Sequence, residues 1–400
     1  MNKLYFIVFA SLFAIICSKQ NLYGQIQQTY PASPYIFIGN DTIISLGDSI
    51  NLSASFFATN ETSSYNVTPI IYSPPVPFSV GIQLGAIDDM WSSVLDLSFN
   101  FCFYNTYYHD VILSANGILS FDTSSAEGYS DWSFSNSLPS QSLQKNAVFG
   151  TYVDLDASQS GALLYYTAGT GTSRIFVYNV NGVALFSCNT PCTQQIILYE
   201  TTNVIEVYLQ DKPSCSTWNS GNSLIGIQDS LGLTGISPPG RNTGDWIANN
   251  EAWRFTPNGN KTYSINWYDT IGTLIDTGAS IIVMPFDTTS YIGEMIIYNC
   301  NDTVHLYDTI TVYPITNVNI NKHNSYKVSI FPNPTSSIFY IEGINIETIE
   351  IRDIKGRLIQ QKIPNAEKTS INLTGQAKGI YLIKIIGKEN VVIKKIIFTP

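Results

Sequence analysis

Strand-and-turn patterning without helical periodicity is the feature that most constrains the fold of this 400-residue chain. After residue 24, short runs rich in Ile, Val, Thr, Tyr and Phe alternate with Gly, Asn, Asp and Pro, and no amphipathic helix of ten or more residues is evident. Closely spaced short strands are typical of β-sandwiches. The length exceeds that of one ordinary domain. We therefore predict an all-β, multi-domain protein made of consecutive β-sandwich modules.

Three hairpins can be recognised in the central part of the chain. VILSANGILSF places Asn116-Gly117 between two apolar arms, and FVYNVNGVALF places Asn181-Gly182 in the same way. Asn-Gly is the strongest short-range signal for a two-residue hairpin turn. A third pair of β-branched runs flanks residues 200–203. We predict that the three hairpins share one sheet system.

The charge of the chain narrows the classes of partner. Charged residues make up 12% of the chain, aromatic residues make up 13%, and the net charge is −10. Such a charge disfavours nucleic-acid binding and electrostatic docking onto an anionic membrane. Sugars, proteins and divalent cations are partners that tolerate an acidic, aromatic surface.

The N-terminus has the pattern of an export signal. Lys3 precedes an almost unbroken apolar run over residues 4–16, and polar residues follow. The run is too short to span a bilayer comfortably. We predict a signal peptide over residues 1–24. A lipoprotein anchor at Cys17 is an alternative that the bulky Ile16 disfavours.

Five of the six cysteines follow this signal. An exported chain meets an oxidising compartment, in which disulfides persist. Cys188, Cys192 and Cys215 lie close together in sequence and are the disulfide candidates, with the choice of partners open. Because five is an odd number, at least one cysteine stays free or pairs elsewhere.

The balance of charge changes near the C-terminus. Residues 322–400 hold 12 Lys and Arg against 6 Asp and Glu, whereas residues 1–321 hold 8 against 24, so net charges of +6 and −16 give the total of −10. This change predicts a separate module over residues 326–400, preceded by a linker at residues 316–325.

Three motifs follow one another in this module. SIFPNPT contains Pro332-Asn333-Pro334, where each proline restricts the residue before it to extended backbone and cannot donate to a strand ladder. A fixed edge segment is therefore expected there. IRDIKGR has a turn at Gly356, and GIYLIKI contains Gly379 and Tyr381. In this order, the motifs resemble the type A C-terminal sorting domain of type IX secretion (Por) substrates.

This resemblance implies an export route and a set of partners. The signal peptide would take the chain to the periplasm, and the type IX outer-membrane secretion and sorting machinery would then recognise residues 326–400. The cargo would be released or attached to surface lipopolysaccharide. The expected location is secreted, or on the extracellular face of the outer membrane. The sorting module would say nothing about what the cargo does.

Residues 75–259 are predicted as the largest sandwich. Its motifs are the hairpin at residues 115–121, the VDLD stretch at 153–156 leading to the Tyr165-Tyr166 pair, and IGIQ at 225–228. This series resembles a nidogen-like (NIDO) extracellular domain of bacterial surface and gliding-associated proteins.

Two shorter segments flank this region. Residues 260–315 are predicted as a short Ig-like module, with Trp267 on a central strand and Tyr298-Asn299-Cys300 resembling a tyrosine corner. Residues 25–74 are predicted as an N-terminal β segment that completes the large sandwich or stands apart.

Asp154 and Asp156 are the candidate metal ligands. At positions i and i+2 of a strand, the two carboxylates project to one face about 7 Å apart. They could share a calcium ion, the one cofactor that the sequence suggests. They could also form a glycosidase pair, whose carboxyl groups lie about 5 to 10 Å apart. A third possibility is a strand end whose acids bond turn amides.

No known catalytic motif accompanies these carboxylates. The sequence lacks a nucleophile elbow, a zinc-protease motif and a nucleotide-binding loop. We therefore expect a non-enzymatic protein that works in adhesion or in contact with a matrix or surface, through an unknown glycan or protein ligand. The alternative is a carbohydrate-binding or glycan-cleaving protein that uses Asp154, Asp156 and nearby aromatic residues. If exposed, Trp91, Trp132, Trp218 and Trp246 could stack on sugars, although such residues more often cap the ends of a sandwich core.

Overall fold

A computed structural model describes residues 30–85, 87–316, 327–388 and 391–399. The predicted signal peptide and nearly all of the predicted linker lie outside these residues. Contacts divide the chain into two compact units, residues 1–316 and 317–400. Regular structure in the described residues is β, apart from two single-turn 3-10 helices, Thr123–Ser125 and Asn219–Gly221. The prediction of an all-β fold with several sandwiches is confirmed.

The described residues of the first unit form twenty-three strands. They are β1 (Ile36–Phe37), β2 (Thr42–Ser45), β3 (Ile50–Ser53), β4 (Ser55–Phe56), β5 (Tyr65–Pro69), β6 (Ile82–Gln83), β7 (Leu95–Phe103), β8 (Thr106–Leu113), β9 (Ile118–Ser120), β10 (Ala147–Tyr152), β11 (Leu155–Asp156), β12 (Ala162–Ala168), β13 (Ile175–Leu185), β14 (Pro191–Tyr199), β15 (Ile205–Lys212), β16 (Leu224–Gln228), β17 (Gly235–Ile236), β18 (Ala248–Pro257), β19 (Tyr263–Tyr268), β20 (Leu274–Thr277), β21 (Ser280–Val283), β22 (Thr289–Asn299) and β23 (Asp302–Ile315).

The larger sandwich packs a six-stranded sheet against an eight-stranded one. The first has the order β17-β16-β10-β9-β8-β7, and the second has the order β5-β18-β15-β14-β13-β12-β6, with β11 paired to β13. Both sheets contribute side chains to one apolar core, including Phe101, Val148, Phe176 and Ile196. A second cluster covers the other face of the eight-stranded sheet, where Tyr30 and Val76 are buried with residues of β13 and β14. Burial on both faces explains why these two strands lack polar alternation.

The predicted hairpin at Asn181-Gly182 is not a turn. Strand β13 runs through both residues, and its register with β14 shifts between Val180 and Val183. Gly182 has a φ of +65°, which places a bulge in the strand rather than a reversal. The hairpins at Asn116-Gly117 and at residues 200–203 do connect neighbouring strands, β8 to β9 and β14 to β15.

A smaller, Ig-like sandwich completes the first unit. Its five-stranded sheet has the order β2-β23-β22-β19-β20, and β3 pairs with β21 in a second sheet. Trp267 is fully buried in its core and donates a hydrogen bond from Nε1 to the carbonyl of Gly278 at 2.9 Å. Ile38, which directly follows β1, and Leu52 of β3 pack in the same cluster.

The small sandwich is therefore built from two separate segments, whereas the sequence predicted residues 260–315 as a self-contained module. β2 runs parallel to the end of β23, with Thr42 opposite Val312. β5 pairs instead with β18 of the large sandwich. The predicted N-terminal segment, residues 25–74, is thus divided between both sandwiches. In the sequence, the large sandwich is inserted between the two segments that form the small one.

Where the structure describes it, the second unit is a sandwich of seven short strands: β24 (Ser329–Phe331), β25 (Ile338–Glu342), β26 (Ile346–Asp353), β27 (Leu358–Lys362), β28 (Lys368–Asn372), β29 (Gly379–Gly387) and β30 (Val391–Phe398). One sheet has the order β24-β25-β28 and the other has the order β27-β26-β29-β30. Alternating Ile residues of β26 and β29 fill the core with Phe339 and Phe398. This arrangement follows the strict alternation visible in IETIEI and YLIKII.

No helix among the described residues is both long and apolar enough to cross a membrane.

Candidate functional site

Asn116 joins three loops at one end of the large sandwich. Its side chain is fully buried in the β8–β9 turn. Its Nδ2 donates to Oδ1 of Asp89 at 3.0 Å, and its Oδ1 accepts from the backbone N–H of Leu155 at 2.9 Å. A longer contact of 3.4 Å joins Nδ2 to the carbonyl of Asp131. The Asn-Gly motif therefore does more than turn the chain, because its amide holds acidic segments together.

Three carboxylates meet beside this amide. One oxygen from each of Asp88, Asp89 and Asp154 lies within 4.8 Å of the other two. Asp154 is buried, Asp89 is half-buried and Asp88 is exposed. Several carboxylate oxygens converging in this way are the donor set that calcium prefers. We name Asp88, Asp89 and Asp154 the acidic site.

The acidic site perturbs its own titration. The pKa of Asp154 is raised to about 6, mainly by burial and also by the charges of Asp89, Asp88 and Asp156, although a hydrogen bond from Trp218 acts in the opposite direction. Burial also raises the pKa values of Asp88 and Asp89, with neighbouring carboxylates adding to the effect. Three like charges in a partly dehydrated site are costly unless a proton or a cation neutralises them.

Asp156 makes the turn hydrogen bonds of one of the three interpretations given above. Its Oδ1 accepts from the backbone N–H of Ser158 at 2.8 Å and from the Ser158 hydroxyl at 2.6 Å. Although burial opposes ionisation, these bonds keep the pKa of Asp156 below its ordinary value. Three interpretations of the Asp154 and Asp156 pair were open. The one in which an acid bonds turn amides matches the geometry of Asp156, but not that of Asp154.

Two tryptophans lie against the buried carboxylate. Trp218 Nε1 donates to Oδ2 of Asp154 at 2.7 Å, and the Trp218 ring stacks on Trp132 with centroids 5.5 Å apart. Both rings are partly exposed, whereas Trp91 and Trp246 are buried. The exposed aromatic surface of the large sandwich thus adjoins the acidic site.

Among the described residues, two disulfides bond four of the five cysteines. Cys188 pairs with Cys215, which leaves Cys192 as a buried thiol. Cys102 pairs with Cys300 across 198 residues and joins the large sandwich to the small one. Tyr298 does not form the expected tyrosine corner, because its side chain is exposed and its hydroxyl lies 3.2 Å from the Ser264 hydroxyl. Sequence spacing gave no sign of the long-range pairing of Cys102 with Cys300.

The Pro332-Asn333-Pro334 motif lies along the last strand of the second unit. Asn333 Nδ2 donates to the carbonyl of Lys395 at 2.8 Å, and its Oδ1 accepts from the N–H of Ile397 at 2.9 Å. The asparagine amide thus replaces the backbone pairing that the two prolines cannot provide. The motif therefore links the first and last segments of the module, and we call the two hydrogen bonds of Asn333 to Lys395 and Ile397 the clasp.

The other sorting-motif residues shape turns and the core. Gly356 has a φ of +80° in the turn where Asp353 Oδ1 accepts from the N–H groups of Lys355 and Arg357, each at 3.0 Å. Gly379 has a φ of +151°, and Tyr381 donates its hydroxyl to the carbonyl of Ala377 at 2.6 Å. The motifs therefore mark turn and core positions of the second unit.

Comparison with known proteins gives two family matches. The family described as NIDO related matches residues 56–265, which is more than half of the chain. The family described as secretion system C-terminal sorting domain matches residues 329–399. No curated protein matches.

One solved structure is similar only at a low level. It is dimeric latent PorU from Porphyromonas gingivalis, with 10% sequence identity and a TM-score of 0.16, and the match covers 92% of this chain and 34% of that chain. This chain therefore spans about a third of that protein, and the likeness carries no argument.

Proposed function

Because the chain belongs to the NIDO-related family and ends in a secretion system C-terminal sorting domain that marks proteins exported to the cell surface or extracellular space, we propose that it is a non-enzymatic adhesion protein in contact with a matrix or surface. The observation that supports this proposal is the order of the domains: an extracellular type of β-sandwich at residues 56–265 precedes a sorting domain at residues 329–399. The sorting domain implies contact with the type IX machinery. Attachment to surface lipopolysaccharide is part of the proposal.

The export route is tested by fractionating cells that express the native chain or a chain ending at Asn324. We expect the native protein on the surface or in the medium without its C-terminal module, and the truncated protein in the periplasm. Intact-mass analysis then separates release from lipopolysaccharide attachment, which adds mass to the mature C-terminus. Equal location of the two forms would contradict the sorting role.

A pair of point variants makes this test sharper. Asn333→Ala removes the clasp to β30, whereas Asn365→Ala changes an exposed asparagine in the same unit. We expect periplasmic retention for the first variant and normal export for the second. Normal export of both would mean that the machinery does not need the clasp.

The adjoining tryptophans favour a second candidate function, carbohydrate binding. Exposed indole rings can stack on sugar faces, and the Trp132 and Trp218 pair lies beside Asp154. A glycan array with and without calcium, together with a polysaccharide hydrolysis assay, distinguishes adhesion, sugar binding and sugar cleavage. Cleavage that Asp154→Asn abolishes would overturn the non-enzymatic proposal.

A further inference from the structure

A polar cleft of about 370 Å³ lies where the large sandwich meets the Ig-like sandwich. The β7–β8 turn and the 200–203 loop form one wall, and the end of β22 forms the other. Pockets for small ligands have volumes of about 300 to 1,000 Å³ and occur preferentially where domains meet. The cleft is a different place from the acidic site, because none of its lining residues belongs to that cluster.

Covalent and hydrogen bonds fix the distance between the walls. The Cys102–Cys300 disulfide joins them. Asn203 Oδ1 accepts from the N–H of Cys102 at 2.8 Å, and Asn203 Nδ2 donates to Oδ1 of Asn299 at 2.8 Å. A cleft held in this way loses little conformational freedom when a ligand enters.

The backbone of the 200–203 loop is also unusual. Thr201 has a φ of +68° and Asn203 has a φ of +52°. A β-branched residue in this region is an outlier, and such strain clusters at ligand sites. Thr201 is held there by its hydroxyl, which donates to the carbonyl of Thr172 at 2.9 Å.

The lining is rich in amides and balanced in charge. Four asparagines line the cleft with one acid and one base: Asn60, Asn105, Asn203, Asn299, Glu61 and Lys261. In the described part of the chain, no hydrogen-bond partner is found for the Nδ2 groups of Asn105 and Asn299. An amide offers a donor and an acceptor in one plane, which matches the adjacent hydroxyls of a sugar.

We propose that this cleft binds a neutral saccharide of one or two rings. The balanced charges give no preference for an anion or a cation, and the amides favour a ligand that forms hydrogen bonds. Tyr298, 51% exposed at the rim, offers a ring for the sugar face. The inference goes beyond the proposed surface contact and does not depend on the export route.

The test uses the full chain and uncharged probes: glucose, galactose, mannose, N-acetylglucosamine and their disaccharides. Binding is measured first on an array and then by calorimetry with the best probe. Asn105→Ala and Tyr298→Ala are expected to weaken binding by about tenfold or more. The matched controls Asn249→Ala and Tyr313→Ala change exposed residues outside the cleft and should bind normally.

Three results would overturn the proposal. They are the absence of binding by any neutral probe, binding by acidic saccharides alone, and binding that survives both cleft variants but is lost in Trp132→Ala. The third result would move sugar binding to the acidic site. Because Asn105 and Tyr298 are exposed at the surface, thermal unfolding of each variant shows whether the fold is intact.

Discussion

At the scale of single residues, Asp154 carries the clearest electrostatic consequence. Its pKa of about 6 in the folded protein lies above the ordinary value of 3.8. Folding therefore favours the protonated form, so the stability that this residue contributes is fully present below about pH 3.8 and is lost as pH rises from there through about 6. Asp156, whose pKa is lowered, contributes stability that is lost only at more acidic pH.

The first prediction follows from that sign. Without divalent cations, lowering the pH from 7.5 to 5 should add about 1 kcal/mol of stability through Asp154. Asp154→Asn should remove this gain, because asparagine keeps an acceptor for Trp218 Nε1 but has no proton to gain. Urea unfolding at both pH values measures the difference. An equal pH response in the native protein and the variant would contradict the prediction, and Asp156→Asn serves as the control that keeps the response.

The calcium hypothesis gives a second prediction at the same scale. If Asp88, Asp89 and Asp154 hold calcium, a calcium concentration one hundred times Kd should stabilise the native protein by about 3 kcal/mol. Asp154→Asn should abolish the effect, and Asp156→Asn should keep it, since Asp156 bonds Ser158. Thermal unfolding with calcium and with a chelator checks both. If both variants lost the stabilisation by calcium, the result would support the first hypothesis, in which Asp154 and Asp156 share the ion.

At the scale of elements, the two Asn-Gly pairs show what a local pattern can and cannot predict. Asn116-Gly117 forms the predicted turn, whereas Asn181-Gly182 lies in a bulge of β13. The difference is not local. Gly161 packs so closely on Gly182 that a Cβ on Gly161 would collide with the Gly182 backbone. In addition, β14 pairs with β13 on both sides of the bulge. Packing between segments that are distant in sequence cannot be predicted from a window of ten residues.

The glycines of these two elements provide a third prediction. Gly182→Ala should cost about 1 kcal/mol, because its φ is positive but the space for a methyl group is open. Gly117→Ala should cost several times more, since its φ is also positive and the new Cβ would collide with the Thr151 carbonyl oxygen. Chemical denaturation of both variants ranks them. Equal losses would mean that backbone conformation alone sets the cost.

At the scale of the whole molecule, the sequence predicted the modules better than their connections. The sorting module and the large sandwich carry local motifs, so their existence could be predicted. Neither the contribution of β1 to β4 to the Ig-like sandwich nor the convergence of Asp88 and Asp89 on Asp154 has a local signal. Asp88 and Asp89 are adjacent acids, but nothing in their own sequence indicates that they lie beside Asp154. Contacts between distant segments are set by the tertiary fold.

The last prediction compares the two disulfides. In the chain-entropy description, closing a loop of 198 residues restricts the unfolded chain more than closing one of 27. The corresponding losses on removal are about 5 and about 3.5 kcal/mol. Replacing Cys102 and Cys300 by Ser should therefore lower the free energy of unfolding more than replacing Cys188 and Cys215.

The Cys102 and Cys300 variant should also lose saccharide binding at the cleft, because the bond joins its two walls. The Cys188 and Cys215 variant, which lacks a bond elsewhere in the large sandwich, is the matched control and should still bind. Denaturation curves and calorimetry on the same preparations test both statements. A larger stability loss in the control would contradict the ranking by loop length. Intact binding without the Cys102–Cys300 bond would show that non-covalent contacts alone hold the two walls in place.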